Sequence, residues 1–176
     1  MFDFQIRRAT RRDFATIIRL IHALLGEMYA LSSESLTEQG DAWRDFETRI
    51  WQTLKGEEHG QHVYPCVADH LLEIADTIGS QVMPIGLIEA SVLWSAPIFR
   101  PVQTLYIHAV YVLPRCRRRG VGTALLRAAI DWGQQQGCLR AQLSVLPHNP
   151  ARQLYQQLGF TVFGLEMRKE MMSPTS

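Results

Sequence analysis

The chain has 176 residues, enough for one folded unit of ordinary size and too few for two comfortable ones. Hydrophobic residues make up 47% and charged residues 20%, a balance that supports a buried core and excludes an intrinsically disordered chain. With 18 lysines and arginines against 17 aspartates and glutamates the formal charge is +1, so nucleic acid is excluded as a first partner and any anion must be met by a local cluster.

Residues 4–8 read as a short strand, and Thr10 with Asp13 then resembles a capping box that opens a helix. Phe14, Ile17, Ile18, Ile21, Leu24 and Leu25 recur at helical spacing and should pack on a sheet, with Gly26 weakening the end of that helix. Residues 27–60 carry an acidic excess interleaved with Trp43, Phe46, Ile50, Trp51 and Leu54, which predicts a second amphipathic helix over residues 41–54. Residues 63–69, 84–94 and 105–113 are rich in β-branched and aromatic side chains and predict three successive strands, punctuated by Gly79, Pro97 and Pro101. From Val121 the helical period returns through Leu125, Ala128, Ala129 and Trp132 and stops near Gly137. A strand over 140–146, a short helix over 150–158 ended by Gly159, and a closing hairpin over 160–171 bent at Gly164 complete the order. Cys66, Cys116 and Cys138 are odd in number and form no C-x-x-C pair, so neither a disulfide framework nor a cysteine zinc site is expected. That, and the lack of a signal-like start or a membrane-length apolar run, points to the cytoplasm with no membrane partner.

The most informative stretch runs from Val110 to Leu126: a strand, a basic turn, then a helix. The first turn of a helix offers unpaired amides and the positive end of its dipole, so a phosphate can sit there if the chain comes close enough. Gly120 and Gly122 remove side chains that would block that approach, and Arg115, Arg117, Arg118 and Arg119 concentrate positive charge beside it. A pyrophosphate is the natural guest. No G-K-[ST] follows the glycines, and several strands precede the turn, so neither a P-loop nor a dinucleotide fold fits.

Arg117-Arg118-Arg119-Gly120-Val121-Gly122 resembles the [RQ]-x-x-G-x-[GA] signature of the GNAT superfamily of N-acetyltransferases. Residues 151–160, from Ala151 through Leu154 and Tyr155 to Gly159-Phe160, are similar to that family's A-x-x-L-Y-x-x-x-G-F element, and Ile6 to Asp13 looks like its opening unit. The resemblance implies an α/β fold of the α+β type, GNAT-like and three-layered, as a single N-acetyltransferase domain over residues 1–176. It implies a mixed, mostly antiparallel sheet of six to seven strands, splayed after the fourth strand and flanked by about four helices. Acetyl-CoA would be the co-substrate. Its pantetheine arm would lie against the main chain of Val110, Tyr111 and Val112, and its diphosphate on the amides of Arg117, Arg118, Arg119, Gly120, Val121, Gly122 and Thr123. The family's N-x-x-A-x-x-[LF]-Y pattern sets its asparagine one residue further from the alanine than this chain does. Either His148 or Asn149 could fill the cofactor-contacting place, and Asn149 is preferred.

Acetyl transfer to a primary amine by direct attack needs a base for an ammonium of reference pKa about 10.4, and an acid for the leaving thiolate. By resemblance Tyr155 is the acid; the plainer reading packs its ring and satisfies its hydroxyl elsewhere. His108 stands two residues before Val110 and so faces the same side by strand alternation, which makes it the candidate base. Glu89 is the substitute, although a surface carboxylate is the plainer reading. His59 and His62 lack further ligands nearby, so no metal is expected. The acidic segment 27–60, with Trp43 and Trp51, would form one wall of the acceptor pocket and suit a cationic small-molecule amine. Two other readings stand beside this one: a non-catalytic coenzyme A binding module, and a protein lysine or N-terminal acetyltransferase. Apolar surface on the closing strands is able to pair two copies into a homodimer.

Overall fold

The computed structural model describes residues 3–31, 41–55, 67–78, 82–94, 102–167 and 169. Five strands, β1 (Phe4–Arg8), β2 (Val67–Thr77), β3 (Pro84–Trp94), β4 (Gln103–Val112) and β5 (Arg140–Leu143), form one sheet in the order β1-β2-β3-β4-β5. The first four are antiparallel neighbours, and β5 joins β4 in parallel. The helices are α1 (Phe14–Leu31), α2 (Asp41–Lys55), α3 (Val121–Gln135) and α4 (Arg152–Gln157).

Apolar side chains divide the molecule into two cores, one on each face of the sheet. Ile17, Leu20 and Ile21 of α1 and Ile50 of α2 pack on Leu72, Ile74, Leu87 and Tyr111. Val121, Leu125, Leu126, Ala129 and Trp132 of α3 pack on Ile85, Ile88, Ala90, Val92, Leu105 and Ile107. Burying such side chains is worth about 1.5–3 kcal/mol each, so these stripes position both helical layers against the sheet.

β4 changes face partway along. Glu89 of β3 pairs with Ala109 and Ala90 with Ile107, which makes His108 an extra residue in the register, a β-bulge. Leu105 and Ile107 face α3 before it, and Val110 and Val112 face α3 after it, so odd positions give way to even ones. Parallel pairing with β5 runs from Thr104 with Arg140 to Ile107 with Leu143 and ends there, at the residue before the bulge.

Several expectations are corrected. Five strands stand among the described residues in place of six to seven: residues 160–167, expected to begin a closing hairpin, carry no strand, and Val162, Phe163, Leu165 and Met167 lie exposed. The second strand runs to Thr77, well past residue 69, because Leu72 and Ile74 alternate inward between Glu73 and other acidic residues that mask the pattern. α1 continues through Gly26 to Leu31. The helical run Arg11–Leu31 does have the length and mean hydropathy, 1.4, of a membrane span, contrary to the sequence expectation. Its Ile17, Leu20 and Ile21 are packed on the sheet instead. Asp13 closes the turn before α1: its carboxylate accepts from the Thr10 amide and hydroxyl at 2.8 Å each, and from both Arg7 Nη atoms at 2.8 Å. His59 and His62 lie outside the described residues.

Candidate active site

β4 ends at Val112, a short 3-10 turn covers Pro114–Cys116, and α3 starts at Val121. Within the turn Arg118 takes φ 59° and Gly120 φ 85°, both left-handed. Gly120 is thus demanded by its backbone angle, since the space around it is open. Gly122 has a different reason: a Cβ there would sit 3.2 Å from Leu154 Cδ2, so its bareness lets α3 approach α4. The first backbone bond of the helix runs from the Ala124 amide to Gly120 O at 3.0 Å. The amides of Val121, Gly122 and Thr123 precede that ladder and point out of the helix N-terminus, the geometry that receives an anion. Arg118 and Arg119 are exposed beside them.

Arg117 is arranged differently. Its amide donates to Pro114 O at 3.2 Å, its Nε to Val112 O at 2.9 Å, and its Nη2 to both Glu27 oxygens at 2.6 and 2.7 Å. Its guanidinium also lies 5.5 Å over the Tyr111 ring. The side chain is folded back along β4, away from the α3 terminus.

On the α1/α2 face a group of polar side chains surrounds the bulge. His108 belongs to this face, not to that of Val110, because the extra residue of the bulge breaks the alternation on which the sequence expectation rested. Its Nε2 lies 2.7 Å from Oγ of Ser91, which is wholly buried, and its ring centroid is 5.0 Å from that of Tyr106. The Tyr106 hydroxyl in turn sits 3.1 Å from Ser144 Oγ. Glu89, read from sequence as a surface carboxylate, is only 2% exposed and is ion-paired to Arg49 Nη1 of α2 at 2.5 Å. A buried carboxylate requires such a partner, and Arg49 lies 40 residues away in the chain.

Tyr155 stands on α4 in the other layer, packed against the α3 core with its ring edge-on to Phe160, centroids 6.0 Å apart. Burial pushes its phenol above the usual value of 10. Among the described residues no hydrogen bond ties its hydroxyl. Asn149 uses its side-chain oxygen locally, accepting from the Ala151 amide at 2.9 Å and so shaping the loop before α4. Ser91, Tyr106 and Glu27 were missed from sequence, and no spacing signal joins them to the motifs.

The sequence profile of the Acetyltransferase (GNAT) family matches residues 27–160, most of the chain and all of the elements just described except β1 and most of α1. The chain belongs to the GNAT family. It is an N-acetyltransferase, and acetyl-CoA is its co-substrate. Among curated proteins this GNAT chain is similar to an aminoglycoside N(6')-acetyltransferase type 1 of Salmonella typhimurium, 28% identical over 68% of the chain and 83% of the relative. It is also similar to a thialysine N-epsilon-acetyltransferase of Bos taurus, 27% identical over 88% and 82% respectively. Among solved structures, a tetramutant of the BH1408 protein from Bacillus halodurans aligns with TM-score 0.72 at 18% identity, covering 95% of this chain and 99% of that one. AAC(6')-Iy in complex with the bisubstrate analog CoA-S-monomethyl-acetylneamine aligns with TM-score 0.63 at 20% identity, covering 97% and 99%. The GNAT fold is thus shared along nearly the whole chain.

Proposed function

We propose that this acetyltransferase moves the acetyl group of acetyl-CoA to a primary amine of a small cationic molecule, with His108 as general base and Tyr155 as general acid. One observation carries the reading: β4 and β5 part at Ile107 and Leu143, with the anion turn at the end of β4 and the His108 group at the start of the gap. The donor's diphosphate rests on the amides of Val121, Gly122 and Thr123 with Arg118 and Arg119 alongside, and its pantetheine follows the β4 edge from Val110 to Val112. The acceptor enters from the α1/α2 face. In the tautomer whose Nε2–H donates to Ser91, the His108 lone pair is on Nδ1 and takes a proton from the ammonium, directly or through water. The freed amine attacks the thioester carbonyl to form a tetrahedral adduct, its nitrogen gives up a second proton to solvent, and collapse of the adduct breaks the C–S bond. Tyr155, fully protonated at neutral pH because burial raises its phenol, gives its proton to the departing thiolate.

The acceptor class is supported by the two curated relatives, each named for acetylating an amine-bearing small molecule. Calorimetric titration with acetyl-CoA, followed by transfer assays on polyamines, amino acids, aminoglycosides and peptides, tests it. Donor binding with turnover on small cationic amines supports the reading. Turnover on peptides alone overturns the acceptor class, and absence of donor binding overturns the whole.

A further inference from the structure

The first arginine of the signature does not face the place where an anion would sit. Its Nε holds the carbonyl of Val112, the last residue of β4, and its Nη2 is gripped by both oxygens of Glu27, ninety residues earlier on α1. Tyr111 completes the arrangement: its hydroxyl donates to Glu27 Oε1 at 3.1 Å and its ring lies under the guanidinium. The Tyr111 ring is itself buried in the α1/α2 core, so the group is anchored on one side. Arg117 and Glu27 remain 41% and 45% exposed, and an isolated pair of that kind contributes little. Here the contacts converge on one guanidinium, which staples the end of β4 to the start of the turn across Pro114–Cys116. The turn has two left-handed residues, Arg118 and Gly120, immediately after the staple, so its amides converge only if its entry is fixed.

We infer that Glu27 is a positioning residue for donor binding: by holding Arg117 on the Val112 carbonyl it fixes the entry to the anion turn and ties that turn to α1. This rests on the turn binding the donor's diphosphate, as proposed above. Arg117 then acts as a brace for the neighbouring amides, while the phosphate charge is met by those amides with Arg118 and Arg119. Preorganisation of a binding loop lowers the ordering cost of association, so loss of the brace weakens binding even though no phosphate contact is removed.

The test is a double-mutant cycle of Glu27→Ala and Arg117→Gln, with coenzyme A binding read by calorimetry and steady-state kinetics read alongside. Removing a carboxylate near an anion site also changes the local field, so the titrations are run at about 1 M salt, where the screening length is about 3 Å. Glu27→Ala is expected to raise the Kd for coenzyme A, and KM for acetyl-CoA, roughly three- to tenfold with a smaller change in kcat. In the Arg117→Gln background the same substitution is expected to add less than about 1.5-fold, because the group it acts through is gone. Unchanged or tighter binding by Glu27→Ala overturns the inference, and so does an equal effect in both backgrounds, which marks a role in α1 alone. If the wild-type chain fails to bind coenzyme A, the proposed function falls first. Normal wild-type binding with an inert Glu27→Ala overturns only the inference made here.

Discussion

Nε2 of His108 on β4 lies 2.7 Å from Oγ of Ser91 on β3, and Ser91 is wholly buried. A buried hydroxyl at that distance holds Nε2, whichever of the two donates, and so fixes the orientation of the imidazole that is to act as base. Replacing Ser91 by alanine removes that hold on the ring while leaving the imidazole present. We expect kcat to fall about three- to tenfold, the loss of one hydrogen bond, with donor affinity retained. We also expect an acid limb in the kcat/KM profile of the wild type that is absent in His108→Ala. A pH–rate profile of the three proteins checks both; an unchanged acid limb in His108→Ala removes His108 from the mechanism.

Tyr155→Phe keeps the ring contact with Phe160 and deletes only the hydroxyl. General acid assistance is worth about 10²–10⁴ in rate, so kcat is expected to fall by roughly 100-fold or more at constant KM for acetyl-CoA. Single-turnover kinetics with excess enzyme separates this from slowed product release. Full activity in the phenylalanine variant assigns the proton to another donor.

Gly120 holds φ 85° with open space around it, so an added methyl meets no neighbour and only the backbone objects. A left-handed alanine costs about 1–2 kcal/mol, and relief of that strain moves the turn. Gly120→Ala is therefore expected to lose at least tenfold in coenzyme A affinity while unfolding at a modestly lower temperature. Calorimetry with thermal denaturation reads both, and wild-type affinity in the variant tells against a left-handed turn.

Acid sensitivity follows from Asp13. Hydrogen bonds from the Arg7 guanidinium, opposed by partial burial and reinforced by Thr10, hold its carboxyl down to about 2. Because the folded value lies below the unfolded one of about 3.9, the stabilisation is present above pH 4 and is lost as pH falls toward 2. Its size, at about 1.4 kcal/mol per unit and discounted for the partly exposed arginine, is about 1–2 kcal/mol. Asp13→Asn should match this loss at neutral pH and flatten stability between pH 4 and 2, measured by urea unfolding across that range. An unaltered acid slope in the variant refutes the assignment.

Features carried by local chemistry were readable in the sequence. The stripes of Ile17, Ile21, Leu125 and Ala129 revealed which helices face the sheet, and the Thr10–Asp13 box and the Gly120 turn announced their own geometry. What escaped depends on partners distant along the chain. The facing of His108 could not be counted out because the bulge exists only in the pairing of Glu89 with Ala109 and Ala90 with Ile107. Glu89 looks like a surface residue until Arg49 is seen to neutralise it, and nothing in the basic turn announces that Arg117 is paired with Glu27, ninety residues away. The run of apolar residues at 162–167 has the composition of a strand but lies exposed without one.

The extra residue in β4 has one more implication, for how this chain tolerates length changes. Excising His108 outright, as opposed to replacing it, would bring β3 and β4 into uninterrupted register and straighten the strand just where β5 now departs. Such a shortened protein would make a more regular sheet and, on the function proposed above, would narrow the gap in which the thioester is to lie.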